Sequence, residues 1–368
     1  MKKLLLLIII GFLAFEAKRI YDKPLQLHPY PYEFTQNPPI ELESSPQILI
    51  VGDRMGEKLF EFKNQMQQAL SVNLTKPIII ESLAQAGEGF HRTLNKIKRI
   101  KKLPKVIIYL GGSEEFHEQK YEAKNIDLIL KNMDHYQNST LQSLLFLNPF
   151  FSKFIYENVP LFSLTEAIKP FEGFKEENII LKQAELEYKL YELEMDDFMK
   201  KKKKQNSLLI LLSTPINLEE APKKTCQIFK NDEIEKVVNE LRVHLGASRF
   251  KDALLLAKEY EGKVSGHAEF YYLKGLVERK LAQFKEAKQS LEKAVSFDCE
   301  KWRADPVFNR ILFNYAGKHQ MNVFDFENLV YDQWGENVLF FDEIYPQNLY
   351  FERSAQALAK ILKKILKL

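Results

Sequence analysis

The stretch Ile48-Leu49-Ile50-Val51-Gly52-Asp53-Arg54-Met55-Gly56 decides how this chain is read. Four apolar residues, three of them β-branched, run into a glycine, an acid and a base, and Glu57 to Leu70 then follows a helical pattern. That is a buried strand, a tight turn and a helix start. In an open α/β sheet such a turn lies at the carboxyl edge, where ligands bind. Many enzymes place a nucleophile at the exposed position of this turn. Here the position holds Arg54.

The pattern recurs along the chain. Pro77-Ile78-Ile79-Ile80-Glu81 leads into Ala84-Gln85-Ala86-Gly87-Glu88-Gly89 and a helix over 90–101. A third strand, residues 105–110, ends in Gly111-Gly112-Ser113-Glu114-Glu115. A fourth, residues 207–212, ends in Ser213-Thr214-Pro215 and follows a long amphipathic helix over 176–200. A fifth, Asn322-Val323-Phe324-Asp325-Phe326, comes much later. Strands alternating with helices predict a parallel sheet covered on both faces, with strands starting near residues 47, 77, 105, 207 and 322.

An internal repeat separates the last two strands. Arg249-Phe250-Lys251-Asp252-Ala253 returns as Gln283-Phe284-Lys285-Glu286-Ala287, thirty-four residues on. That period resembles the tetratricopeptide repeat, with Gly275, Ala287 and Ala294 where its two helices touch closely. Two units are few for such an array, so they are expected to lean on the main domain.

Composition is that of a folded protein of 368 residues, with 45% hydrophobic and 28% charged residues. A net charge of +3 gives no argument for nucleic acid. Cys226 and Cys299 show no zinc spacing, and no metal or cofactor is expected. They bracket the repeat, and a disulfide between them would staple its base in an oxidising compartment.

The N-terminus indicates such a compartment. Met1-Lys2-Lys3 precedes the apolar Leu4 to Phe15, a charged n-region and an h-region. Phe15 makes a poor cleavage site at Ala17, which favours an uncleaved signal anchor over 1–17. Secretion after cleavage is the other reading. Six prolines between residues 18 and 46 then predict a semi-extended spacer, or a loop wrapped on the domain by Tyr30, Tyr32 and Phe34.

Taken together, the Gly52-Asp53-Arg54 turn, Gly87 and Gly89, Gly111-Gly112-Ser113-Glu114 and Asp342-Glu343-Ile344-Tyr345-Pro346 resemble the four sequence blocks of the SGNH (GDSL-like) hydrolase family. The resemblance covers about 47–215 and 303–366. It implies a three-layer, flavodoxin-like domain with a five-stranded parallel sheet over 47–225 and 300–368, and a small all-α insertion over 226–299. In that family a serine of the first block attacks an ester carbonyl. A histidine and an aspartate of the last block activate it, and donors of the middle blocks hold the oxyanion. Matched position by position, this chain has Arg54 for the serine, Tyr345 for the histidine and Ser113 for the oxyanion asparagine. Asp342 and one glycine, Gly87 or Gly89, survive. An arginine is no nucleophile, and a tyrosine with its pKa near 10 is a poor base at neutral pH.

The resemblance therefore implies a vestigial site made of Asp53, Arg54, Gly87, Gly89, Ser113, Glu114, Asp342 and Tyr345, in a pseudoenzyme that binds rather than cuts. Arg54 is expected to pair with Asp342, Glu343 or Glu114, or else to hold an anionic glycan or phosphate. The competing expectation is a relocated nucleophile, Ser113 with His117 or His91, in an esterase or acetyl-transferring enzyme of envelope glycans. The expected setting is a bacterial inner membrane with the bulk in the periplasm, and the expected partner an envelope protein held by the helical repeat.

Overall fold

A computed structural model describes residues 5–7, 9–15, 39–71, 77–118, 120–136 and 173–366. The chain divides into two units, Met1–Asn37 with Gln119–Ala167, and Pro38–Glu118 with Ile168–Leu368. In the first, residues 5–7 and 9–15 are helical with exposed side chains, and a helix spans Ile126–Tyr136. Among the described residues no helix is long and apolar enough to cross a membrane. Most of the proposed 18–46 spacer lies outside the described residues.

The second unit contains a five-stranded sheet in which every pair is parallel. The strands are β1 (Ile48–Gly52), β2 (Ile80–Ser82), β3 (Val106–Leu110), β4 (Leu208–Leu212) and β5 (Asn322–Phe324), in the order β2-β1-β3-β4-β5. Central strands β1 and β3 are buried along their whole length, which is why they read as unbroken apolar runs. β2 starts later than Pro77. A proline has no N–H for a ladder, and pairing begins at Ile79, whose carbonyl accepts from Gln47 N and Ile48 N. β5 stops at Phe324 because Asp325 caps the next helix by accepting from Asn328 N at 3.0 Å.

Alternation assigns the two faces. Ile48, Ile50, Val106, Ile108, Leu110, Ile210 and Leu212 point to one side. They meet α1 (Arg54–Phe60), α2 (Lys63–Ser71), α10 (Phe326–Tyr331) and α11 (Asn348–Leu366) there. Leu49, Val51, Ile107, Tyr109, Leu209 and Leu211 point to the other. They meet α3 (Phe90–Arg99), α4 (Glu177–Gln205) and α9 (Pro306–His319). Phe90 and Phe198 are fully buried on this second face, each contributing roughly 2–3 kcal/mol. α4 takes in the whole Lys200–Lys204 run and ends at Asn206, which adopts the left-handed conformation of a C-cap at φ 54°.

Between β4 and β5 lie α5 (Asp232–Gly246), α6 (Phe250–Tyr260), α7 (Ala268–Lys280) and α8 (Phe284–Ser296). The first three close a core of their own around Val238, Leu241, Ala257, Phe270 and Val277. α8 belongs to two cores. Ala294 faces that helical cluster, whereas Ala287, Leu291 and Val295 join Phe326 and Val330 on the first face of the sheet. A Cβ on Gly275 would stand 2.5 Å from Leu291 Cγ, so α7 and α8 cross where only glycine fits. At the base of these helices Cys226 and Cys299 form a disulfide with Cα atoms 5.2 Å apart. Asp298 supports it, accepting from Lys223 N at 2.9 Å and Lys224 N at 3.0 Å.

Candidate functional site

The β1–α1 turn is built around a residue without a side chain. Gly52 has φ +133°, and a Cβ there would stand 1.9 Å from the Leu110 carbonyl oxygen. β1 and β3 can therefore deliver their two following turns side by side. Asp53 N donates to the same carbonyl at 3.3 Å. The Asp53 side chain then joins the turns. Oδ1 accepts from Met55 N at 2.9 Å, capping α1, and Oδ2 accepts from Ser113 N at 2.7 Å and Ser113 Oγ at 2.6 Å. Asp53 is 1% exposed. Burial first, and then the neighbouring Glu114 carboxylate, push its carboxyl up to about 6 against the opposing donors.

Arg54 Nε pairs with Glu114 Oε1. The expectation of an acid beside Arg54 is met by Glu114. Asp342 and Glu343 are exposed, and the Asp342 carboxylate is engaged elsewhere. Its Oδ1 accepts from Ile344 N at 2.8 Å and Tyr345 N at 2.6 Å, closing a turn within its own loop. Burial pushes the Glu114 carboxyl up, but His117 and Arg54 outweigh burial and hold it below its ordinary value. Tyr345 does reach the site electrostatically. Burial raises its phenol, Arg54 opposes that rise, and Asp53 and Glu114 add to it.

The relocated pairs considered from the sequence do not form. Ser113 Oγ donates to Asp53. His117 Nδ1 stands 3.5 Å from Glu114 Oε2. His91 Nδ1 lies 2.6 Å from Glu194 Oε1. Each candidate thus has a carboxylate partner, and neither histidine is placed on the serine.

Gly87 occupies its turn at φ +80°. Gly89 caps α3 in extended backbone. A Cβ on Gly89 would stand 2.5 Å from Glu118 Oε2 and 3.1 Å from Glu115 Oε2, and Glu115 Oε1 accepts from Phe90 N at 2.8 Å. Buried acids thus crowd this glycine, and Arg92 Nε pairs with Glu118 Oε1 at 3.2 Å. Glu115, Glu118 and Glu194 escaped the sequence reading. The visible signal for the first two was a cluster of acids directly after an apolar strand.

A cavity of about 470 Å³ adjoins the site through His117. Phe116, Gln183, Lys224, Lys301 and Trp302 contribute to its wall, and Cys299 reaches it from the disulfide. Among the described residues one group of potential metal ligands comes together, Glu177 with Cys226 and Cys299. Both sulfurs are in the disulfide, and the Glu177 carboxylate accepts from Gln227 N and pairs with Lys224 at 2.9 Å. No protein-family model matches the chain, and no curated protein is significantly similar to it.

Proposed function

We propose that the protein is a binding or scaffold protein of a bacterial envelope, anchored by its N-terminal apolar segment with its bulk outside the cytoplasm. The reading takes residues 47–225 and 300–368 as a flavodoxin-like, SGNH-like domain that has lost hydrolytic chemistry. Residues 226–299 are its tetratricopeptide-like insertion and the surface that holds an envelope protein. Strand order β2-β1-β3-β4-β5 supports the fold part, since that order is the flavodoxin-like one. The disulfide supports an oxidising compartment.

The observation that carries the functional part is the Arg54–Glu114 pair at the mouth of the β1–α1 turn. A permanently protonated group fills the nucleophile position, and an acid beneath it fixes it there. An anionic glycan or phosphate reaches this site by competing with Glu114 for the guanidinium. One observation favours a second reading, an esterase or acetyl transferase acting through Ser113. The Ser113 hydroxyl donates to a carboxyl that titrates near 6, a pairing that can accept its proton.

Hydrolysis of p-nitrophenyl acetate separates the two. The binding reading expects no turnover above buffer from the wild type or from Ser113→Ala. Turnover that Ser113→Ala abolishes overturns it and establishes the second reading. Arg54→Ser with Tyr345→His tests whether the older chemistry can be restored.

A further inference from the structure

The two edges of the sheet hold their charges differently. At the carboxyl edge the acids Asp53, Glu114, Glu115 and Glu118 are buried, and Arg54 and Arg92 pair with two of them. The amino edge is formed by the ends of α3 and α4 and the loop entering β3. Residues 98–105 and 200–204 hold ten cations and no acid in a chain whose net charge is +3, so the remainder of the chain is net acidic.

The two basic stretches are fastened into one surface. Lys201 Nζ donates to Lys98 O at 3.2 Å and Ile100 O at 3.0 Å. Gln205 Nε2 donates to Lys101 O at 2.9 Å, and Leu103 N donates to Gln205 Oε1 at 2.6 Å. Cations in the last turn of a helix are favoured by its dipole, which accounts for Lys98 and Lys202–Lys204. It does not account for Lys101, Lys102 and Lys105, which lie beyond α3 and are exposed. Lys98 and Lys200 share Asp197, and Lys101 faces Glu41. Among the described residues, Lys102, Lys105, Lys203 and Lys204 face no carboxylate. Burial first, then Lys204 and Lys98, push the Lys201 ammonium below its ordinary value.

The path of the chain points to the counter-charge. Ile40 N donates to Arg99 O at 3.2 Å and Ile40 bridges Ile100, so the segment arriving from the N-terminus joins the unit at this same edge. Residues 40–42, 45–47 and 100–105 line a groove of about 390 Å³ there. In sequence, the apolar run Leu4–Phe15 precedes that entry point. We propose that the basic amino edge docks on an anionic phospholipid surface and turns the carboxyl edge, with Arg54, away from the lipid. The inference rests on the anchored reading above, because a tether entering at this edge holds the lysines at high effective concentration near a bilayer.

The test mixes the full chain with vesicles of phosphatidylcholine alone and of phosphatidylcholine with phosphatidylglycerol. Lysines of vesicle-bound protein are acetylated and mapped by mass spectrometry. If the N-terminal segment inserts, the chain binds both vesicles. Lys102, Lys105, Lys203 and Lys204 should then be shielded on the anionic ones alone, with the shielding reversed by high salt. If it does not insert, the anchored reading fails while the docking inference stands, provided that only anionic vesicles bind. K102E/K105E/K203E/K204E should then lower partitioning by a factor of at least ~100. Circular dichroism checks that this variant folds, and salt reversal in the wild type decides the matter if it does not. Equal labelling on both vesicles, or binding to neither, overturns the inference. Retention of polyphosphate or nucleic acid without shielding on vesicles overturns it too.

Discussion

Asp53 offers the sharpest physical test of the turn that organises the fold. Its carboxyl is raised from an ordinary value of 3.8 to about 6, because it is buried and sits beside Glu114. A group protonated more readily in the folded state binds more protons there than in the unfolded chain between those two values. Unfolding free energy therefore falls as pH rises through that window. Its favourable contribution is fully present below 3.8 and is lost above about 6. At about 1.4 kcal/mol per pH unit, the loss is about 3 kcal/mol. Asp53→Asn removes the titration. Asn can still accept from Met55 N, but its amide leaves Ser113 N unsatisfied, a cost of about 1–3 kcal/mol at every pH. Urea unfolding of both proteins from acid to neutral pH should thus show the wild-type advantage falling by about 3 kcal/mol across the window, to zero or in favour of the variant, and flat above it. Parallel curves would refute the assignment of Asp53 as a buried, raised carboxyl. So would an Asp53 carboxyl carbon that titrates near 4 by NMR.

Arg54→Met should destabilise by on the order of 1–3 kcal/mol, since it removes one of the two charged partners of the buried Glu114 carboxylate and leaves His117 alone. Adding Glu114→Gln should recover part of the loss, and strict additivity in the double-mutant cycle would show the pair to be uncoupled. Gly52→Ala forces a Cβ into the Leu110 carbonyl. It should abolish soluble expression, so a well-folded G52A protein with an unchanged melting temperature would falsify the close approach of β1 and β3. Cys226→Ser with Cys299→Ser opens a loop of 73 residues and should cost about 4 kcal/mol in the chain-entropy model. An unchanged melting temperature in the oxidised and reduced wild type would contradict this.

Much of the architecture was legible because it is written in local pattern. β1, β3 and β4 are apolar on both faces, and such runs announce a sheet covered by helices. The cysteine pair was legible from its placement around the helical repeat. The partner of Arg54 was not, because the sequence offers three nearby acids and the choice depends on loop geometry. Asp342 is drawn into its own turn by the Ile344 and Tyr345 amides, and Glu114 is left beneath the guanidinium. Glu118 and Glu194 become site features only when α3 brings Arg92 to the first and His91 to the second. Membership of α8 in two cores was equally hidden, since its amphipathic stripe looks the same whether it faces one neighbour or two.

That shared helix has a mechanical consequence. The block α5–α8 is no arm swinging on a hinge, because α8 is a wall of the room it would swing from. A load taken up by α5 or α6 passes through Ala294 into α8, and from α8 onto the helix that follows β5, where Lys288 pairs with Glu327 at 3.4 Å. Excising residues 226–299 as a cassette would take Ala287, Leu291 and Val295 out of the core that also holds Phe326 and Val330, so the block cannot be trimmed or transplanted without rebuilding one face of the sheet.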